Sequence, residues 1–286
     1  MHFRCNLKCQ HCMILDSMHW LKPASQHEFD QLMLENEKET KWTGLIITGS
    51  EVTLRKDLPD LARQARESGF QHVRIQTHGM RLANLDYCKM LIDAGIDEYF
   101  VSVTADHAEL HDRITGVKGS FDRTIQGIQN LDSLGTARVL TNTVITGLSY
   151  QSLPGVVDLL AGFENLERMD FWTYWPMSEK DNSDLMVSHL DTAPFLRKAI
   201  RMLSDMGKKV EVKNFPQCLL GSEADALIND QPELRIDPRF WDEFNRNGFH
   251  QCVYRDVCGS KQCLGLNAAY ADRFGWHEPD LYPMPR

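Results

Sequence analysis

The sequence predicts an α/β protein: a partial (β/α)6 barrel of TIM type over residues 1–207 and a small C-terminal module over 208–286. Three observations carry this. A unit of apolar strand, turn, amphipathic helix and glycine recurs through the first two thirds of the chain. No G-x-G-x-x-G follows a strand, which argues against a dinucleotide-binding sheet. Beyond about residue 190 the alternation gives way to short elements that hold the remaining cysteines.

The elements run in order along the chain. Ser25 and Glu28 form a capping box that opens the first helix. "GLIITG" (44–49) is a strand, and 57–68 is a helix with Leu58, Leu61, Ala62 and Ala65 on one face. "HVRIQT" (72–77) is the next strand; its helix carries Leu85, Cys88, Leu91 and Ile92 and ends before Gly95. "EYFVSVT" (98–104) comes next, then a helix capped by Ser120 that ends at Gly135. "RVLTNTVIT" (138–146) and "RMDFWTYW" (168–175) are two further strands around a helix at 154–162. A helix at 193–206 and a strand-like stretch at 208–215 complete the readable pattern. In such barrels chemistry sits at the C-terminal ends of the strands.

Composition narrows the function classes. The 42% apolar and 25% charged content suits a globular chain with a sizeable core. The net charge of −9, with basic residues scattered, argues against a nucleic-acid partner. No apolar run approaches the ~20 residues of a membrane helix, and no secretory signal is visible. The expected location is the cytoplasm, where thiols stay reduced.

Cys5, Cys9 and Cys12 have C-x3-C-x2-C spacing. A zinc site usually takes four ligands in two C-x2-C pairs. Three close cysteines without a nearby fourth suit a [4Fe–4S] cluster with one iron left open. His11 is the zinc alternative, but it adjoins Cys12 and is poorly placed to share one ion.

This spacing is the signature of radical SAM enzymes, and the chain resembles them over roughly residues 3–175. "TGSEVTLRKDL" (48–58) resembles the family's Gly-Gly-Glu strand end, and "IQTHGMRL" (75–82) its Thr-Asn-Gly strand end. "VSVTADHAELHDRITGVKGSFDRTIQGIQNL" (101–131) resembles the fourth strand and following helix, and "TNTVI" (141–145) the fifth strand. The resemblance implies that Cys5, Cys9 and Cys12 hold a [4Fe–4S] cluster whose open iron takes S-adenosylmethionine. Gly49, Ser50 and Glu51 would receive the methionine end, with Glu51 opposite the ammonium. Ser102, Thr104 and Asn142 would contact the ribose or carboxylate, the main chain at Met13 and the apolar end of "DFWTYW" the adenine, and Thr77 would also belong to the cofactor-binding set. His111 and Arg113 are either ligands or part of a cap before the next helix. Trp172, Tyr174 and Trp175 are either core or a substrate platform. Ser50, Val52, His78 and His11 depart from the family pattern, and only Met1–Arg4 stand where relatives have a full first strand.

Cys88 reads as a core thiol on an apolar helix face. Cys218, Cys252, Cys258 and Cys263 give C-x33-C-x5-C-x4-C, which is not zinc-knuckle spacing. With "CLGLNAAYADRFG" (263–275) it resembles the twitch module of some radical SAM enzymes, related to SPASM, implying an auxiliary [4Fe–4S] cluster. Zinc and disulfides stay as alternatives. The expected function is reductive cleavage of S-adenosylmethionine to a 5′-deoxyadenosyl radical and hydrogen abstraction from a small-molecule intermediate. The auxiliary cluster would accept an electron, and flavodoxin or ferredoxin would supply the first one. A peptide substrate matured by crosslinking or epimerisation is the first alternative; a non-catalytic iron–sulfur or zinc protein is the second.

Overall fold

The structure, a computed structural model, describes residues 3–15 and 17–286. Helix α1 spans Gln26–Glu39, and its capping box forms as expected. The Glu28 N–H donates to Ser25 Oγ at 3.2 Å, and the Ser25 N–H to the Glu28 carboxylate at 2.7 Å. Strand β1 (Gly44–Ile47), α2 (Leu58–Glu67), β2 (His72–Thr77) and α3 (Leu85–Asp93) come next. Then come β3 (Glu98–Ser102), α4 (Ala108–Thr115), α5 (Ser120–Leu134), β4 (Arg138–Ile145), α6 (Leu153–Leu160) and β5 (Leu166–Thr173). Helix α7 (His189–Asp205), β6 (Lys209–Lys213), α8 (Arg239–Asn245) and α9 (Ala268–Phe274) complete the chain.

The six strands form one parallel sheet in the order β1-β2-β3-β4-β5-β6. This is the partial barrel that the alternation predicts. Strand period two divides the sheet into two faces. Ile47, Val73, Ile75, Tyr99, Val101, Val139, Met169, Phe171 and Val212 pack against the helices in one core. On α2 the residues that do so are Leu58, Leu61, Ala62 and Ala65, as their spacing predicts. Each such leucine contributes about 1.5–3 kcal/mol of burial. Cys88 is fully buried on α3, with its thiol donating to the Leu82 carbonyl at 3.0 Å.

The opposite, concave face is polar. Register aligns Ser102, Asn142, Asp170 and Glu211 across four strands, and Val144, Trp172 and Lys213 in the next row. Strand β6 pairs with β5 through Asp170↔Glu211 and Trp172↔Lys213. The division read at 207/208 therefore falls one strand before the end of the sheet. Val210 and Val212 alternate with Lys209, Glu211 and Lys213, the same two-faced pattern as the strands before it.

Two helix starts differ from the sequence expectation. Ser120 does not cap α5; it is the first helical residue. The cap comes from Asp112 on α4, whose carboxylate accepts from Gly119 N at 2.5 Å, Phe121 N at 2.9 Å and Ser120 Oγ at 2.8 Å. Helix α7 begins earlier than expected, at His189, because the Ser188 hydroxyl caps it and Pro194 lies inside its first turns. After β6 the chain is mostly turns, with α8, α9 and an antiparallel bridge, Gln251↔Leu266. This part docks on α7, where His189 stacks on Tyr270 at 4.0 Å.

Candidate functional site

Cys5, Cys9 and Cys12 lie on an irregular loop, Cys5 exposed and the other two half-buried. Helix α4 holds that loop in place. The last carbonyls of a helix have no partner inside it. Here the Ile114 and Thr115 carbonyls accept from Gln10 N at 3.0 Å and Lys8 N at 2.8 Å, and the Arg113 carbonyl from Gln10 Nε2 at 2.9 Å. Gly116 follows with φ +69°, and a Cβ there would stand 3.0 Å from Lys8 Cβ and 3.1 Å from its carbonyl oxygen. The segment "HDRITG" thus acts through its backbone and through Asp112.

The loop is tied from the other side to the strand ends. Arg4 O accepts from Glu51 N at 3.0 Å, and His78 Nε2 meets Asn6 Oδ1 at 2.8 Å. Met80 N donates to His78 Nδ1, so the neutral ring carries its proton on Nε2. The expected first strand falls partly on Met1 and His2, outside the described residues; Phe3 and Arg4 belong to no strand.

Burial pushes the Cys5 thiol up and Cys9 to about 12, with the neighbouring thiols adding to both and Glu51 to Cys5. The three sulfurs therefore stand within one another's fields. Coordination to a metal reverses this, since a ligating thiol is deprotonated outright. Leu7 N donates to Cys5 Sγ at 3.4 Å.

The strand ends separate the expected contact residues into two kinds. Glu51 is 1% exposed and its carboxylate is taken up by the protein. It accepts from Thr53 N at 3.0 Å, the Thr53 hydroxyl, Thr77 Oγ1 at 2.7 Å and His78 N at 2.9 Å. Thr77 is engaged in the same clamp, also accepting from Gly79 N at 3.0 Å. By contrast Ser50 Oγ, Thr104 Oγ1 and Asn142 Oδ1 are buried without a hydrogen-bond partner. Gly49 has φ +144°, a conformation that favours glycine. Ser102 is half-buried beside Asn142, and Met13 is half-buried in the turn after Cys12.

His11 Nδ1 and His111 Nε2 are also buried and unpartnered, and burial pushes both imidazoles down to about 4. His111 Nδ1 meets Ser120 Oγ at 3.1 Å. Of the three aromatics at the end of β5, Trp172 lies on the concave face with its ring 5.9 Å from Phe100 and its Nε1 buried and unpartnered. Tyr174 belongs to the core. Trp175 packs edge-on against Phe244 and Phe249.

Sequence reasoning missed the charges of this face. Arg168 Nε meets Asp170 Oδ1 at 2.7 Å and Arg168 Nη1 meets Glu211 Oε1 at 2.6 Å; Lys213 Nζ lies 3.5 Å from Glu211 Oε2. Burial raises the Asp170 carboxyl, and Arg168 opposes that. The available signal was the polar alternation Arg168, Asp170, Trp172 on β5.

The other four cysteines converge. Cys218, Cys252, Cys258 and Cys263 line one small cavity of ≈ 30 Å³. Gly265 N donates to Cys263 Sγ at 3.4 Å and Met284 N to Cys258 Sγ at 3.3 Å. Burial raises the Cys218 and Cys263 thiols. Among the described residues no three His, Cys, Asp or Glu side chains are gathered as a single metal ion requires. One zinc ion would draw four thiolates to ~2.3 Å from a common point; four cysteines around one cavity with N–H donors on sulfur suit an iron–sulfur group.

The sequence profile of the Radical SAM superfamily matches residues 1–160, more than half of the chain. The chain belongs to the Radical SAM superfamily. Among curated relatives it is 30% identical over 217 residues to the Fe-coproporphyrin III synthase of Methanosarcina barkeri, covering 74% of this chain and 51% of that protein. It is 33% identical over 164 residues to a probable GTP 3′,8-cyclase of Methanopyrus kandleri, covering 57% and 52%. The chain spans about half the length of these relatives. Its fold is similar to Streptococcus suis SuiB bound to precursor peptide SuiA, with a TM-score of 0.61 at 19% identity, over 97% of this chain and 63% of that one. It is also similar to anSMEcpe with bound AdoMet, with a TM-score of 0.56 at 15% identity, over 74% of this chain and 62% of that one.

Radical SAM enzymes use a [4Fe–4S] cluster and S-adenosylmethionine. The residues present fit both. Three thiols within one another's fields, on a loop anchored from two sides, supply the three ligands the cluster takes. The unpartnered oxygens of Ser50, Thr104 and Asn142 suit the polar groups of the nucleoside and amino acid, since a buried polar atom left unpaired costs about 1–3 kcal/mol. Among the described residues no helix is long and apolar enough to cross a membrane.

Proposed function

We propose that this radical SAM enzyme abstracts hydrogen from a small-molecule biosynthetic intermediate, in a dehydrogenation, epimerisation or rearrangement. The observation that carries the reading is the concave face, where Trp172 Nε1 is buried and unpartnered one row beyond the Arg168–Asp170–Glu211 network. Such a polar surface suits a compact polar substrate. The relatives' names point the same way, specifying Fe-coproporphyrin III and GTP.

When bound, the cluster and S-adenosylmethionine supply a 5′-deoxyadenosyl radical. The chain's own residues do the rest. Cys5, Cys9 and Cys12 would ligate three irons, leaving one open. Ser50, Thr104 and Asn142 would hold the polar groups of S-adenosylmethionine, while Glu51, Thr77 and His78 keep the strand ends rigid beneath it. Trp172 would donate to a substrate acceptor and, with Phe100, exclude water. Arg168 and Lys213 would hold Asp170 and Glu211 in fixed positions under the reacting carbon. Cys218, Cys252, Cys258 and Cys263 would hold a second [4Fe–4S] group as electron acceptor, which makes net oxidation the favoured outcome. The first electron would come from flavodoxin or ferredoxin.

The test is anaerobic reconstitution followed by iron analysis and assay for 5′-deoxyadenosine. About eight irons per chain are expected, four for each [4Fe–4S] group. Product should form with reductant and vanish in Cys9→Ala. Size-fractionated cell extract then separates substrate classes. Stimulation by the small-molecule fraction supports the proposal, and stimulation by the peptide fraction alone overturns it.

A further inference from the structure

The segment Leu281–Arg286, "LYPMPR", lies against the second cysteine centre. Leu281, Tyr282 and Met284 line the same cavity as the four cysteines. Met284 N donates to Cys258 Sγ at 3.3 Å. The segment is held there independently of this bond. Gly259 N donates to the Met284 carbonyl at 2.9 Å, and Leu281 is buried. A Cβ on Gly259 would stand 1.9 Å from the Pro285 oxygen, so the two backbones touch at a position that tolerates no side chain. The Arg286 guanidinium donates to the Asp256 carbonyl.

The chemistry of the segment explains the arrangement. Pro283 and Pro285 have no N–H. Each also biases the residue before it, Tyr282 and Met284, towards extended backbone. Prolines at alternate positions therefore leave the Met284 N–H between two residues that cannot donate, and that N–H is the one that meets sulfur.

We propose that Leu281–Arg286 is a strap that raises the reduction potential of the second cysteine centre and shields it from solvent, through the N–H group of Met284. The proposal rests on the reading that this centre holds a [4Fe–4S] group. Hydrogen bonds to cluster sulfurs and solvent exposure are levers that set such potentials. A donor to thiolate sulfur withdraws electron density and favours the reduced, more negative state. Met284 is thus a positioning residue for Cys258.

The experiment compares Met284→Pro, which deletes one N–H, with Met284→Ala, which keeps it. Both are made in the full chain and reconstituted anaerobically. The readouts are iron content, the midpoint potential from titration followed by electron paramagnetic resonance, and the rate of iron loss in air. The signal that S-adenosylmethionine does not perturb is assigned to the second centre. Met284→Pro should move that midpoint to more negative potential and lose iron faster, while Met284→Ala matches the unsubstituted chain. A Met284→Pro chain that retains about four irons beside an alanine variant with about eight supports the strap as well. An unchanged midpoint and loss rate in Met284→Pro overturn the strap, as does equal behaviour of the two variants. About four irons in the unsubstituted chain overturn the second-cluster reading itself, before any substitution is compared.

Discussion

Thr77 Oγ1 donates to the Glu51 carboxylate at 2.7 Å, joining the loop after β1 to the end of β2. Together with Thr53 and the His78 N–H, this makes Glu51 a strand-end clamp built inside the protein. Glu51→Ala strips the acceptor from several buried donors and should cost about 3–5 kcal/mol. Thr77→Val removes one bond and should cost about 1 kcal/mol. Chemical unfolding of the two variants checks the ratio. Equal small losses would mean that the clamp carries no stability.

Gly116 is the point where α4 meets the cysteine loop. Gly116→Ala puts a Cβ against Lys8 and forces a non-glycine residue to φ +69°. The strain is of order 1–3 kcal/mol. The first cysteine group should then bind less iron while the helical circular dichroism is retained. Iron content of the second group serves as the internal control.

Asn142 presents a buried unpartnered oxygen at the end of β4. Asn142→Ala should weaken S-adenosylmethionine binding about tenfold, the effect of one lost hydrogen bond of ~1.4 kcal/mol. Equilibrium binding to the reconstituted enzyme measures it. Unchanged affinity would assign Asn142 to the substrate or to the fold.

His189 gives the structure a pH dependence away from both cysteine groups. Burial pushes its imidazole down to about 3, with His277 adding to the shift. The folded state keeps the ring neutral, whereas the unfolded chain protonates it near 6.5. Stability from this residue is therefore present above pH 6.5 and is lost as pH falls towards 3. The stack on Tyr270 should loosen first, exposing α9 to hydrogen exchange. His189→Phe keeps a ring there and should flatten the dependence between pH 7 and 5.

Much of this was legible in the sequence because strand and helix periodicities leave direct marks. The five apolar strands and the C-x3-C-x2-C loop are local patterns. Helix α4 was not legible: it is eight residues long and buries only His111, Ile114 and Thr115, too few for a periodic signal. The role of Asp112 was hidden for the same reason, and Ser120 took its place as the expected cap. The hydrogen bonds of Glu51 to Thr77 and His78 at the end of β2 were not legible either, because they join residues 26 and 27 positions apart. The strap at 281–286 has no hydrophobic period, and its alternating prolines acquire meaning only beside Cys258.

Gln10 and Arg113, hydrogen-bonded at 2.9 Å, are 103 residues apart in the chain. Cys5, Cys9 and Cys12 thus leave the ribosome well before the scaffold that holds their loop is synthesised. At 5–20 residues per second, that interval lasts roughly 5–20 seconds. Closing so long a loop also carries an entropic cost that only the completed α4 and strand ends offset. The thiols are therefore born before their cradle. On the proposed assignment of these cysteines to a cluster, iron loading belongs to a stage after β1–β3 and α4 have assembled.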